Sequence, residues 1–356
     1  MIKYIKVKNL NKKYNYDLMF HNDINILTGR NGSGKTTLLK LLWYLISGNI
    51  KNTISEMHLD SVLLETDNEE LHLNFIEENK AVFSFSSKID ENSNVKKQVS
   101  KKSLKALLEK IPQFEGESIF FPTFRRIEGG FLIESRDFFY GDIEMYRQVH
   151  FMSSEIANTR RLSKKNKHQF IASISTNDIV NLLTRKYAEI STEVARIEKE
   201  QSDFILKSIE NSKLNEKDVL NDIKTKQQET NVEKNKLLKP FTILSEYITD
   251  IFKDKGIKIS EALTFGEANE AILSDKLSAG EKQMLSFLCY CIFIENSIIF
   301  IDEPELSLHP DWQRTLVPTL MEISNGNQFF IATHSPFIYS KFPDKEIVLN
   351  QDKGGE

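Results

Sequence analysis

Ile24-Asn-Ile-Leu27-Thr28-Gly29-Arg-Asn31-Gly32-Ser33-Gly34-Lys35-Thr36-Thr37-Leu38-Leu39-Lys-Leu41-Leu42-Trp43 is the stretch that decides the fold class. Its centre fits G-x-x-x-x-G-K-[ST], with an apolar run before it and another after it, so a Gly-rich loop lies between a strand and a helix. Gly29, Gly32 and Gly34 let the backbone turn its N–H groups inward. The helix opening at Lys35 presents the positive end of its dipole to the same point. Such a loop cradles phosphates, and Asn31, Ser33 and Thr37 belong to it. Lys35 is placed for the β- and γ-phosphates of a nucleotide, and the Thr36 hydroxyl for Mg²⁺.

A second signal lies far along the chain. Ile298-Ile-Phe-Ile301 is an apolar run of β-propensity that ends in Asp302-Glu303, which puts two carboxylates at the carboxyl end of a buried parallel strand. Asp302 is expected to hold Mg²⁺ through its water shell, and Glu303 to polarise an attacking water as general base. His334 follows the strand Phe329–Ala332 and is placed to sense a γ-phosphate.

Three further segments carry a resemblance. Leu277-Ser278-Ala-Gly280-Glu281-Lys-Gln283 resembles the signature motif of ABC-type ATPases, Ser307-Leu-His309-Pro310 their D-loop, and His334 their switch histidine. The resemblance implies a P-loop α/β core that binds ATP and Mg²⁺ at a head-to-tail dimer interface. Ser278, Gly280 and Glu281 of one copy would then meet the γ-phosphate held by the other.

Asp302-Glu-Pro-Glu305-Leu-Ser-Leu-His309-Pro310 with Thr333-His-Ser-Pro336 is in the style of the branch that includes RecF, the OLD nucleases and the SMC-like repair ATPases. The helix Leu42–Gly48 and the segment Phe121-Pro122-Thr123-Phe-Arg125-Arg126-Ile-Glu128-Gly129-Gly130 look most similar to phage-defence ATPases such as PtuA of the Septu systems. That likeness implies a regulatory ATPase gating a separate nuclease or toxin effector. A RecF-like ATPase that binds DNA itself is the alternative. One departure stands out: the Gln that ABC ATPases carry in a mid-lobe loop is missing near Phe121–Gly130. Gln113 and Gln148 are the nearest, neither in a strand-to-loop context, and Arg125 and Arg126 are candidates for phosphate or partner contact.

The chain has 356 residues, 40% hydrophobic and 28% charged, an ordinary globular composition. No apolar run is long enough to span a membrane and the start reads as a strand, so the expectation is a cytoplasmic protein. Cys289 and Cys291 lie in the apolar helix Met284–Ile294, a context for buried thiols rather than a disulfide or zinc site. About twenty residues follow His334, and no nuclease domain is expected in them.

Pattern suggests residues 1–137 as a first lobe with the P-loop and an antiparallel β flank, 138–262 as a helical insertion, and 263–356 as the rest of the core. Strands are expected around a turn at Asn11–Tyr16 and over Met57–Glu65, Leu71–Glu77 and Ala81–Ser87. Tyr14 and Tyr16 either stack on adenine or pack on the sheet. Ser93–Lys105 reads as a lysine-rich loop before a short helix Leu104–Lys110. Helical pattern begins near 138. Leu183, Tyr187, Ile190, Val194, Ile197 and Phe204 form one stripe, a break falls at Asn211–Asn215, and the next helix should stop at Pro240. Such a hairpin would reach roughly 35–50 Å. Between Arg160 and Lys239 there are 17 basic and 12 acidic residues, against a net charge of −4 for the whole chain. The densest cluster, Arg160 to His168, is either a contact for DNA or RNA phosphates or a solvated loop.

Overall fold

Strict alternation of apolar and polar residues in the N-terminal third builds the first sheet of the computed structural model. The structure describes residues 1–77, 80–88, 94–100, 114, 116–123, 126–128, 167–171, 173–210, 216–253, 279–306 and 308–349. Strands β1 (Ile2–Leu10), β2 (Tyr14–Met19) and β3 (Ile24–Thr28) precede helices α1 (Lys35–Ile46) and α2 (Ile50–Glu56). Strands β4 (Ser61–Thr66), β5 (Glu69–Glu77), β6 (Lys80–Ser87), β7 (Val95–Ser100), β8 (Ser118–Phe121), β9 (Arg126–Glu128), β10 (His168–Phe170) and β11 (Ser173–Ser175) follow. Helices α3 (Thr176–Glu210), α4 (Glu216–Lys253) and α5 (Ala279–Ile292) lead to β12 (Ile298–Asp302), α6 (Pro310–Ile323), β13 (Gln328–Ala332), α7 (Pro336–Tyr339) and β14 (Glu346–Val348).

The chain divides into two units. The first contains two six-stranded sheets. One is antiparallel in the order β2-β1-β4-β5-β6-β7. Its register sets Ile5, Leu64, Leu71 and Phe85 in one row and Val7, Val62, Leu73 and Phe83 in the next, and all eight are buried. Such cross-strand neighbours on one face are what hold a sheet in register. Strand β7 departs from the loop expected at Ser93–Lys105: Val95 to Ser100 pairs with β6 from Phe85 to Lys80. A strand carrying Lys96 and Lys97 suits a sheet edge, where charge discourages pairing with another chain. The expected helix Leu104–Lys110 lies outside the described residues.

The other sheet is parallel, in the order β10-β8-β12-β13-β3-β14. Its inner strands β3, β8 and β13 are buried at every position, and β12 is buried from Ile299 to Asp302, as strands covered on both faces must be. The fold is therefore α/β, with the β-rich flank anticipated from sequence. Gln328 ties the two sheets together: its amide nitrogen donates to the carbonyls of Ile2 and His21 at 2.7 Å each, and its oxygen accepts from the Ile2 N–H at 2.8 Å. With three of its hydrogen-bonding sites used, this fully buried amide costs little.

From Leu38 onward helix α1 is apolar and buried at every position but Lys40. Leu38, Leu39, Leu41, Leu42, Trp43, Leu45 and Ile46 join one cluster with Phe83 and Phe85 of the antiparallel sheet and Phe120, Phe300 and Phe330 of the parallel sheet. A helix this apolar over its last two turns is stable only inside a core.

The second unit holds α3, α4 and α5. The stripe on α3 is buried at Ile179, Leu183 and Ile197, while Tyr187 and Phe204 farther along are exposed. Two expectations fail here. Helical structure does not run unbroken from 138, because β10 and β11 fall inside that range. Nor does Pro240 end the second helix, which continues through it to Lys253. Proline removes one helical N–H and kinks the chain, but Phe241 beyond it packs on Tyr187 and Phe293, and Leu244 is buried, which outweighs that local loss. At 35 and 38 residues the helices are about 50–60 Å long at 1.5 Å per residue, longer than expected. Cys289 and Cys291 are buried on α5 and form no disulfide, and burial pushes the Cys289 thiol well up from its usual value. Among the described residues no helix is long and apolar enough to cross a membrane.

Trp43 is fully buried against Tyr44, Phe120 and Phe170, and its Nε1 has no hydrogen-bond partner among the described residues. Trp43→Phe is therefore expected to be mild, since no hydrogen bond is lost. Trp43→Ala should cost about 3–5 kcal/mol in urea unfolding.

Candidate active site

The parallel register brings the motif residues together. Ile301 of β12 lies beside Phe121 of β8 and Ile331 of β13, and Ile331 lies beside Ile26 of β3. Four strands thus end level with one another, and the loops that leave them carry Thr123, Asp302–Glu305, Thr333–Ser335 and the P-loop. That is where open α/β sheets hold ligands.

Gly29, Gly32 and Gly34 all have positive φ, which the inward turn of the loop requires. At Gly29 a Cβ would sit 2.6 Å from the Leu349 carbonyl oxygen, and at Gly34 it would fall on the Tyr16 hydroxyl. The two tyrosines brace the loop from below: Tyr14 donates to the Gly32 carbonyl and Tyr16 to the Ser33 carbonyl at 2.9 Å, their rings stacked with centroids 6.0 Å apart. Both are buried, in keeping with sheet packing rather than adenine stacking, but the hydroxyl contacts to the loop were not legible from sequence. Ser33 Oγ is buried without a partner among the described residues, a hydroxyl in want of an acceptor or donor.

Lys35 is 4% exposed and donates to the carbonyls of Gly29 and Arg30 at 3.1 and 3.3 Å. Burial pulls its pKa down; the carboxylates of Glu303, Glu305 and Asp302 oppose that. Its Nζ lies 3.4 Å from His334 Nδ1. An ammonium donates there only if Nδ1 is unprotonated, which leaves the imidazole proton on Nε2, and Nε2 faces Glu303 Oε1 at 3.7 Å.

Asp302 is buried at the end of β12 and accepts from the Thr36 hydroxyl at 2.9 Å. Its second oxygen accepts from the Thr123 hydroxyl. A carboxylate and two hydroxyls form a hard oxygen donor set that fits Mg²⁺. Thr123 follows β8 in the segment Phe121–Gly130, which contains no Gln. A search for one residue type in sequence passes over a hydroxyl that only the strand register brings to Asp302.

Glu303 has φ of +47°, a left-handed conformation that costs a non-glycine residue about 1–3 kcal/mol and is most often kept at functional positions. Burial, then Asp302 and Glu305, raise its carboxyl above the ordinary glutamate range, while His334 and Lys35 pull the other way. Thr333 and His334 are in turn held by Glu305, whose side chain accepts from the Thr333 hydroxyl and the His334 N–H.

Gly280 and Glu281 lie in the first turn of α5, in the other unit. Ser278, Ser307, Arg125, Gln113 and Gln148 lie outside the described residues, as does the cluster Arg160 to His168 up to Asn166, while its His168 begins β10 and Arg126 is in β9.

These strand ends, this loop and this helix are those of a P-loop nucleotide-binding domain. More narrowly, residues 24–340 match the family described as AAA domain, putative AbiEii toxin, Type IV TA system, and the chain belongs to that family. It is 24% identical to a retron Vc95 probable ATPase of Vibrio cholerae serotype O1 biovar El Tor, over 92% of this chain and 68% of that protein. It is 32% identical to a retron Ec83 probable ATPase of Escherichia coli, over 21% of this chain and 16% of that one. Among solved structures, two Smc head domains align over 95% of the chain and 91% of theirs. One, from Pyrococcus furiosus, carries an extended coiled coil and is bound to the C-terminal domain of ScpA; the other is bound to the ScpA C-winged helix domain. They share 13% and 11% identity, at TM-scores of 0.34 and 0.37.

Ionised Glu303 is held among other carboxylates, so its charge works against the fold. A carboxyl with a raised folded pKa destabilises once pH exceeds its unfolded value, and the penalty is complete above the folded one. Glu303→Gln should therefore raise the melting temperature of the nucleotide-free protein by a few degrees at neutral pH, with the gain vanishing toward pH 4. Gly34→Ala, by contrast, should lower it and abolish nucleotide binding.

Proposed function

We propose that the chain hydrolyses ATP at the site formed by the P-loop, Asp302, Glu303 and His334. The observation that carries this reading is the convergence of Lys35, Asp302, Glu303 and His334 at one end of the parallel sheet, from positions far apart in the chain. Lys35 and the inward N–H groups of Gly29–Thr37 would bind the β- and γ-phosphates. Thr36 and Asp302, with Thr123, would hold Mg²⁺, which supplies charge neutralisation between the phosphates. Glu303 would take the proton of the attacking water, and His334 would donate from Nε2 to the γ-phosphate as charge builds on it.

Two copies would complete each site. In this reading Ser278, Gly280 and Glu281 of one copy cap the phosphates held by the other, so ATP closes a head-to-tail dimer and hydrolysis opens it. The retron-derived names of the relatives support a role in defence, as the regulatory ATPase of an anti-phage system that gates a separate nuclease or toxin effector. For such a gate the bound state matters more than flux.

Purified protein should hydrolyse Mg·ATP. Lys35→Ala and Glu303→Gln should each lower turnover by about 10²–10⁴-fold in a phosphate-release assay. By light scattering Glu303→Gln should dimerise on ATP, and adding Ser278→Arg should return it to monomer while nucleotide still binds. A dimer that ignores ATP, or survives Ser278→Arg, refutes the shared site. Loss of phage protection in a host with the Lys35→Ala gene, alongside an intact effector gene, is the test of the defence role.

A further inference from the structure

Glu305 is two residues beyond the proposed base, and both oxygens of its carboxylate are spent on the loop that follows β13. Oε2 accepts from the Thr333 hydroxyl at 2.9 Å, and Oε1 accepts from the His334 backbone N–H at 2.6 Å. Two bonds from one planar group fix the peptide that carries the imidazole in direction as well as in place.

A second tie runs beside the first. Gln313 of α6, 8% exposed, donates from Nε2 to the carbonyls of Leu308 at 2.7 Å and Glu305 at 3.3 Å. Its oxygen accepts from the Ser335 hydroxyl at 2.5 Å. Ser335 N–H donates in turn to the Thr333 hydroxyl oxygen at 3.0 Å. The turn from Glu305 to Leu308 and the loop from Thr333 to Ser335 are thereby one hydrogen-bonded piece, and the imidazole it presents lies between Lys35 and Glu303.

We infer that Glu305, backed by Gln313, is a positioning residue for His334. It holds the imidazole where Nδ1 meets Lys35 and Nε2 meets Glu303, so that His334 is in place before substrate arrives. Catalysis gains because no ordering has to occur during the reaction. Because the turn also carries Leu306, which is 63% exposed, a contact made on that turn would be felt at the imidazole. The inference rests on the ATPase reading of His334.

The test is steady-state ATP hydrolysis by wild type, Glu305→Gln, Glu305→Ala, His334→Ala and the Glu305→Ala/His334→Ala double variant. Glu305→Ala should lose as much kcat as His334→Ala, with KM for ATP within about twofold of wild type, and the double variant should lose no more than either. Glu305→Gln keeps one acceptor oxygen and should fall between. Full kcat in Glu305→Ala, or losses that multiply in the double variant, would overturn the inference.

Hydrogen exchange of the nucleotide-free protein supplies a readout independent of turnover. A peptide covering Phe329–Ile338 should exchange faster in Glu305→Ala, with melting temperature little changed; unaltered exchange overturns the positioning role. If the alanine variant fails to fold, the glutamine variant carries both measurements. Absence of hydrolysis in wild type would count against the ATPase reading alone, whereas hydrolysis that needs Glu303 but not Glu305 would count against the positioning role alone.

Discussion

The constraint on which the site depends is the removal of the Lys35 ammonium from water. Its contacts among the described residues are two loop carbonyls and an imidazole nitrogen, with three carboxylates near enough to be felt electrostatically. A charge in that position is held by the geometry of the loop, and the loop is held by Tyr14 and Tyr16 beneath it. An incoming polyphosphate would find a cation whose desolvation cost has been met at folding, so little of its binding energy goes to reorganising the protein.

That arrangement explains why α1 is so apolar after its first turn. The helix that begins with Lys35 must point its N-terminus at the site without wobble, and packing of Leu38, Leu39, Leu41, Leu42, Trp43, Leu45 and Ile46 into the core resists its rolling. The antiparallel sheet then has a role beyond covering the core. Through Gln328 and the rows headed by Ile5 and Val7 it closes the outer side of the helix, and through Tyr14 and Tyr16 it reaches the loop.

What could be read in advance follows from what is local. The P-loop, the strand ending in Asp302 and the strand before His334 are contiguous patterns, and each stands where the pattern put it. Helix α4 outruns the sequence expectation because a proline's penalty is local to one peptide, whereas the packing of Phe241 and Leu244 depends on residues distant in the chain. Strand β7 was missed because its lysines mask the alternation between Val95 and Val99. The hydroxyl of Thr123 lies 179 positions from the Asp302 carboxylate it binds, and no spacing rule in one sequence reaches that far. Glu305 lies within the segment Asp302–Pro310, but its role is not legible there, since the partners of its side chain belong to another strand's loop.

The left-handed backbone at Glu303 places a second filter on that position, separate from its chemistry. Valine, isoleucine and threonine are disfavoured there by backbone sterics alone, whatever they do to the proposed proton transfer, while asparagine and glycine fit the conformation and lack the carboxylate. In a saturation library at this codon, expression level and activity would therefore sort the substitutions along different axes. Folded but inactive proteins would come from the residues that tolerate the turn, so position 303 offers a route to inert, well-behaved versions of the protein for capturing whatever it engages.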